Sequence, residues 1–338
     1  MYHPRLRGNH YDMGHHYGAL LHKNGFRVSQ LPQVDEQYRS FITSSEAVVN
    51  EVYPEICQEV RGFAEGCEAD YLELMGFLLT IGVSQPAPHC SCFAAQTDSG
   101  VIFGRNHDYF KQTKAFTESS LIVPDGFHAF VGQGDTFVGR EDGVNVRGLA
   151  VGYTFVYSQA VQPGINFLLV IRGLLERCQT VSEAITWLES LPLSTTQNFV
   201  LADASGDMAV VEATPGQIVV RRPEEGTSFV VATNNFQTPS MRSRQHNEDR
   251  NWYQAETRYD GICQVLAGQA DNLTLTDAQD VLAGKYGFVC QYNPRGDFDT
   301  LWSVVANLDT LELTRAEGNP KRTRYKEDKR LARVHPCK

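Results

Sequence analysis

Between His89 and Asp108 the chain reads as an apolar run, a turn and a second apolar run. His89-Cys90-Ser91-Cys92-Phe93-Ala94-Ala95-Gln96-Thr97 is followed by Asp98-Ser99-Gly100 and then by Val101-Ile102-Phe103-Gly104-Arg105-Asn106-His107-Asp108. Asp-Ser-Gly is tight-turn chemistry, so the two runs are predicted to pair as an antiparallel hairpin. Such pairing returns the far end of the second strand to the start of the first. It places Arg105 and Asp108 near a thiol, either Cys90 or Cys92. Taken singly, a strand cysteine, an arginine and a carboxylate have ordinary structural roles. Together they are the parts of an activated thiol nucleophile.

The flanks divide the chain at this hairpin. Before it, residues 1 to about 85 read as helical. A first helix opens at Tyr11 and stops near Asn24-Gly25. Apolar residues at helical spacing (Phe41, Val48, Val52, Ile56, Val60, Phe63) predict one helix over Gln37 to Cys67, and a third covers Tyr71 to Leu79. Ser84-Gln85-Pro86-Ala87-Pro88 then breaks the pattern, because proline opposes helix and holds the preceding residue extended. After residue 90 short β-rich runs take over: Val101 to Gly104, Ser120 to Val123, Phe127 to Val131 and Leu149 to Tyr157. Two helices follow, Ile165 to Cys178 and one capped by Thr180 with Glu183. A meander covers Phe199 to Ala232, helices are predicted over Glu248 to Leu266 and Ala278 to Lys285, and strands Trp302 to Ala306 and Thr310 to Thr314 come last. Hairpins flanking paired helices predict an α+β layered fold of antiparallel sheets packed against helices.

Composition removes several classes. A formal net charge of −10 opposes a nucleic-acid binder, which needs a basic stripe to displace counterions. The one basic cluster, Lys321-Arg322-Thr323-Arg324-Tyr325-Lys326 with Lys329 and Arg330, is interleaved with Glu327 and Asp328 and reads as a solvated tail. No apolar run approaches the roughly 18 residues of a membrane span. The start, Met1-Tyr2-His3-Pro4-Arg5, is not a signal peptide, so a cytoplasmic protein is expected. The 8 cysteines are scattered and read as reduced core or reactive thiols.

The 90–108 stretch resembles the opening of the mature chain in the N-terminal nucleophile hydrolases of the choloylglycine hydrolase and acid ceramidase type. It is most similar to the acyl-coenzyme A:6-aminopenicillanic acid acyltransferase-like family, peptidase family C45. The family pattern is Cys with Ser or Thr next, a turn ending in Gly, then Gly-Arg-Asn-x-Asp. Here it stands as Cys90-Ser91, Gly100 and Gly104-Arg105-Asn106-His107-Asp108. The resemblance extends to Gly8 through Gly14, to Asp203 through Glu212, to Ala232-Thr233-Asn234-Asn235-Phe236, to Thr257-Arg258-Tyr259 and to Thr300-Leu301-Trp302-Ser303.

What it implies is an αββα sandwich with a helical N-terminal segment. Residues 1–89 become an α chain and 90–338 a catalytic β chain of one integrated domain, after self-cleavage at His89–Cys90. The spacing of the family motif selects Cys90 over Cys92 as nucleophile. Asp108 would hold the new α-amine, Arg105 would lower the thiol pKa or bind a substrate carboxylate, Asn234 would donate to the oxyanion, and Arg258 would support the site electrostatically. Asn235 stands beside Asn234 as a second polar contact. Bile-salt hydrolases carry an asparagine after a Gly-Leu pair, whereas Gly148-Leu149 is followed by Ala150-Val151-Gly152-Tyr153-Thr154. Tyr153 or Thr154 is the substitute donor, and bile-salt specificity is not expected. The implied partners are small N-acyl substrates, with acyl-coenzyme A among the admissible acyl donors, and no cofactor. The competing reading is a zinc or redox module using His89, Cys90, Cys92 and His107.

Overall fold

The N-terminal segment folds as its apolar spacing requires, with two departures. It opens with a strand, β1 (Arg5–Gly8), which the helical reading passed over. Then come α1 (His10–Lys23), α2 (Arg39–Val52), α3 (Pro54–Gly66) and α4 (Tyr71–Thr80). The single helix expected over Gln37 to Cys67 is two. Tyr53 leaves the helical region (φ −150°, ψ 64°) and Pro54 starts α3, because proline lacks the N–H that a continuing helix would use. The computed structural model describes residues 1–84, 87–246, 253–290, 292–293 and 297–334; of the Pro-rich break, Gln85 and Pro86 lie outside the described residues, as does Cys337.

The predicted hairpin is present as β2 (His89–Thr97) and β3 (Gly100–Phe110). The following strands are β4 (Glu118–Pro124), β5 (Phe130–Gly134), β6 (Asp142–Asn145) and β7 (Ala150–Phe155). After α5 (Phe167–Arg177) and α6 (Val181–Ser190) come β8 (Gln197–Ala202), β9 (Met208–Thr214), β10 (Gln217–Arg221) and β11 (Phe229–Ala232). A short α7 (Pro239–Arg242), α8 (Ala255–Gln269) and α9 (Leu275–Leu282) precede β12 (Tyr292–Asn293), β13 (Phe298–Asn307), β14 (Glu312–Ala316), β15 (Lys326–Asp328) and α10 (Arg330–Val334). The helix expected from Glu248 thus begins at Ala255; 247–252 lie outside the described residues.

Two sheets form. One runs β1-β4-β5-β6-β7-β8-β9-β10, the other β11-β2-β3-β13-β14-β15 with β12 on β13. All named pairs are antiparallel except β1 with β4, which is parallel. Between the sheets, Cys92, Ala94 and Phe103 pack on Ala150, Val200 and Val210. Alternate residues face outward, as strand geometry demands. Phe93 and Ala95 therefore meet Ile262 of α8 and Leu282 of α9, while Val151 and Phe199 meet Phe167 and Leu168 of α5. Helices cover both outer faces, giving the αββα sandwich. Complete burial of Phe93 and Phe103 favours this arrangement by about 1.5–3 kcal/mol each.

Two further expectations are corrected. β6 was not foreseen because Asp142, Gly143 and Asn145 are poor strand formers; these polar residues are buried to serve neighbours, Asn145 donating to the carbonyls of Leu175 and Cys178. The supposedly solvated tail is folded in part. Asp328 in β15 pairs with Arg315 and Arg330, and Arg330 reaches the Ser119 carbonyl at 2.7 Å. No described helix is long and apolar enough to cross a membrane.

Candidate active site

Strand register builds the site. His89 pairs with Asp108 and Cys90 with His107, so the first two residues of β2 sit against the last part of β3. Arg105, opposite Cys92, extends between the sheets to donate from Nη2 to Cys90 Sγ at 2.9 Å and from Nη1 to Asp142 at 2.5 Å. The path needs Gly152. A Cβ there would stand 3.0 Å from both Arg105 Cδ and Cys92 Sγ. Asp142 is braced by Trp302 Nε1 at 2.9 Å, and the Trp302 ring stacks on His107 at 3.7 Å.

The other side of Cys90 is held by α8 and the Thr233–Asn235 loop. Asn234 Oδ1 accepts the Cys90 N–H at 3.0 Å. Arg258 donates to the Cys90 carbonyl at 2.6 Å, to Ser91 Oγ and to Asn234 Oδ1 at 2.8 Å, and lies 4.0 Å from Asp108. Asp108 accepts from Thr300 at 2.5 Å. Cys90, Arg105, Asp108, Asn234 and Arg258 therefore converge on the His89–Cys90 bond. Asn234 reaches it through its carbonyl oxygen, while its Nδ2 donates to the Phe155 carbonyl at 2.8 Å.

The substrate-contact candidates behave differently from these five. Thr154 donates to the Thr233 carbonyl and accepts from Asn198 at 3.0 Å, so its hydroxyl secures the loop bearing Asn234. Asn235 accepts from Thr233 at 2.8 Å through its side chain, in the same support. Tyr153 lies between the Arg105 guanidinium, 5.2 Å away, and Phe167, and its buried hydroxyl has no hydrogen-bond partner among the described residues.

The zinc alternative does not survive the geometry. His89 stacks on Tyr253 on the face of β2 opposite to Cys90, so His89, Cys90, Cys92 and His107 do not form a ligand set. A different group, His107 with Asp135 and Glu141, does converge, but the Arg105 guanidinium stands 3.5 Å from His107 and 3.6 Å from Glu141, where it opposes a cation. The described cysteines are all free thiols.

The sequence reading gave no role to Asp135, Glu141, Asp142, Thr300 or Trp302, which are the partners of His107, Arg105 and Asp108. One signal was available: Arg140-Glu141-Asp142 is a run of three charges inside a β-rich region, and all three are buried.

Burial dominates the electrostatics. It pushes the Cys90 thiol up to about 12 against the pull of Arg105, so the thiol is neutral in the intact chain. Burial raises Asp108 to about 7, opposed by Arg258 and Thr300, and Glu141 to about 7, opposed by Arg105. It lowers His89 and His107 to about 3, with Arg258 and Arg105 respectively adding to the effect. The signs follow by linkage. Each histidine is protonated in the unfolded chain below about 6.5 but not in the fold, so its contribution is complete above that value and is lost as pH falls towards 3. Asp108 and Glu141 act oppositely between roughly 4 and 7, where the fold retains protons that the unfolded chain has released. Compared in a Cys90→Ala background, His107→Gln should therefore make the slope of unfolding free energy against pH, over pH 4 to 6, more negative by up to about 1.4 kcal/mol per unit. Urea titrations at several pH values measure it; an unchanged slope contradicts a neutral buried His107.

None of four surface cavities of 310 to 520 Å³ is lined by these residues, and Cys90 has no exposure. Among the described residues the Cys90 thiol is shut off from solvent.

The sequence pattern of the acyl-coenzyme A:6-aminopenicillanic acid acyl-transferase family matches residues 95–322. The 40 kDa form of the acyl-coenzyme A:6-aminopenicillanic-acid-acyltransferase of Emericella nidulans is 22% identical over 190 residues, which are 52% of this chain and 53% of that one. The chain thus spans about half the length of this curated relative. Two crystal structures of the conjugated bile acid hydrolase of Clostridium perfringens superpose with TM-scores of 0.53 and 0.51 at 14% identity, covering 70% of this chain and 92% of theirs. Those superpositions show a shared N-terminal nucleophile hydrolase fold. With well over half of its residues inside the family match, the chain belongs to the acyl-coenzyme A:6-aminopenicillanic acid acyl-transferase family.

Proposed function

We propose that the chain cuts its own His89–Cys90 bond and that the freed Cys90 is the nucleophile of an amide hydrolase or acyltransferase. The observation that carries this is the grip on the Cys90 peptide unit: N–H on Asn234, carbonyl on Arg258, thiol on Arg105. In the first reaction Cys90 Sγ attacks the His89 carbonyl carbon. The C–N bond breaks, the departing nitrogen takes the thiol's proton, and a thioester remains. Water hydrolyses it to the His89 carboxylic acid and restores the thiol.

Cys90 then carries a free α-amine with an ordinary pKa near 8, a base adjacent to its own thiol. That amine takes the thiol proton as sulfur attacks a substrate amide, and returns it to the leaving amine. Arg105 stabilises the thiolate, Asp108 holds the amine, and the acyl-thioester passes to water or to a second amine. The relatives are named for chemistry at an acyl carbonyl, which supports small N-acyl compounds as substrates and leaves hydrolysis and transfer both open. An oxyanion role for Asn234 requires its Nδ2 to leave the Phe155 carbonyl for the substrate oxygen. Asn234→Ala removes both that donor and the acceptor of the Cys90 N–H, and should slow turnover by about 100- to 1,000-fold; timed assays of acyl release measure it.

Intact mass and N-terminal sequencing of the purified chain test the reading. Two chains are expected whose masses sum to 37.8 kDa plus one water, the larger beginning Cys90-Ser91-Cys92. A chain that stays whole under all conditions overturns it.

A further inference from the structure

The basic run near the end of the chain gathers where the two sheets meet at one edge. β1 ends the first sheet there and β15 ends the second, with α10 following β15 directly. Residues of all three, and of β14, line a cavity of 490 Å³, within the size range of small-ligand sites. Six lysine and arginine side chains face it against three carboxylates, in a chain whose formal net charge is −10.

Its floor is held by ion pairs, whereas its rim is not neutralised. Arg315 and Arg330, each more than nine-tenths buried, hold Asp328 between them at 2.7 and 2.5 Å. Arg315 also reaches Glu317 at 3.1 Å, yet its buried Nε has no acceptor among the described residues. A buried N–H left in that state is costly. On the rim Lys329 pairs with Glu327 at 3.0 Å. Arg5 of β1, Lys326 of β15 and Arg333 of α10 are exposed there, with no carboxylate partner among the described residues. Register adds to the excess, because Lys326 stands directly opposite Arg315 across the β14–β15 ladder. Like charges so placed repel each other, and an anion seated between them turns the repulsion into attraction.

We propose that this cleft binds a small soluble polyphosphate, a ligand with two or more linked phosphate groups. Guanidinium groups match phosphate oxygens in geometry and charge. The free cations come from three separate elements, which suits several phosphates better than one. β15 lies four strands from β2 in the sheet order, about 19 Å at the usual strand spacing. The site is thus separate from Cys90, and its occupancy does not depend on whether the His89–Cys90 bond is cut. A bound ligand ties β1, in the 1–89 segment, to β15 and α10 of the remainder.

Calorimetric titration of the full chain with sodium tripolyphosphate, at about physiological ionic strength, tests this. Saturable binding is expected, with inorganic phosphate weaker by about tenfold or more. Lys326→Glu and Arg333→Glu should each weaken tripolyphosphate binding by about tenfold, since each reverses an unpaired charge on the rim. Lys23→Glu makes the same change in net charge at an exposed position of α1 outside the cavity, and should alter binding by less than about twofold. Melting temperatures without ligand check that each variant is folded. Absence of binding, or binding that survives either rim reversal in a folded variant, overturns the proposal. Equal weakening by Lys23→Glu overturns it too, since that marks general charge attraction. A chain that ignores tripolyphosphate but sediments with phosphatidylserine vesicles overturns it in favour of a membrane surface.

Discussion

Cys90→Ala should leave the chain whole at 37.8 kDa and without amide turnover, a loss of about a millionfold or more on the scale of other hydrolase nucleophiles. Folding should be nearly unaffected. The substitution removes a thiol that is neutral in the intact chain, and Arg105 keeps Asp142 and the Tyr153 carbonyl as partners. Cys90→Ser is the informative companion, because a hydroxyl can still attack the preceding carbonyl but is a poorer nucleophile. It should be cut slowly, over hours or longer, at the same bond. Cys92 offers no substitute. Its thiol is buried between the sheets with Ala150 and Phe103, two residues further along β2 than the His89–Cys90 bond. Intact mass followed over days decides the matter, and cleavage of Cys90→Ala at the wild-type rate would eliminate Cys90 as the nucleophile.

Arg172→Met should produce the largest loss of stability. Arg172 is fully buried on α5. It donates to both carboxylate oxygens of Glu59 on α3, at 3.0 and 2.6 Å, and to Glu176 at 2.6 Å. Glu176 also meets His10 at 3.0 Å and the Tyr53 hydroxyl. Removing the guanidinium leaves two buried carboxylates facing each other, for which a loss of about 3–5 kcal/mol is expected. That is a large part of the 5–15 kcal/mol typical of a folded domain. The pH dependence identifies the cause. Burial alone would raise Glu176, but Arg172 and then His10 hold it down to about 2. Its contribution is present above the unfolded value near 4.5 and is lost as pH falls through about 2. The deficit of Arg172→Met should thus be greatest above pH 5 and shrink in acid, where Glu176 protonates. Urea midpoints from pH 3 to 7 test this, and a pH-independent deficit would mean lost packing alone.

The hairpin is legible in the sequence because its turn and its alternation are local. The two-sheet layering follows from similar signals, and so does the α6 cap, where Thr180 accepts from the Glu183 N–H at 3.2 Å. Cys90, Arg105 and Asp108 are legible for the same reason: they lie on one hairpin, and register alone brings them together. Asn234 and Arg258 are found by resemblance, since nothing local says that a loop and a helix over a hundred residues away will close on Cys90. Asp142 escapes both routes, and Trp302 lies in a motif that the resemblance marks without giving it a role. Their positions depend on how the two sheets face each other, which is a property of packing and not of any one segment.

The bond between His89 and Cys90 sits at the last rung of the β2–β3 ladder. Breaking it detaches one rung, His89 opposite Asp108, and leaves the pairs from Cys90 to Thr97 standing, with β11 still zipped along Cys92 to Ala95. A cut a few residues further in would sever a strand in the middle of a sheet. Scission at this bond would leave the scaffold with almost no loss of cross-strand pairing, and would release only the residue that lies opposite Asp108.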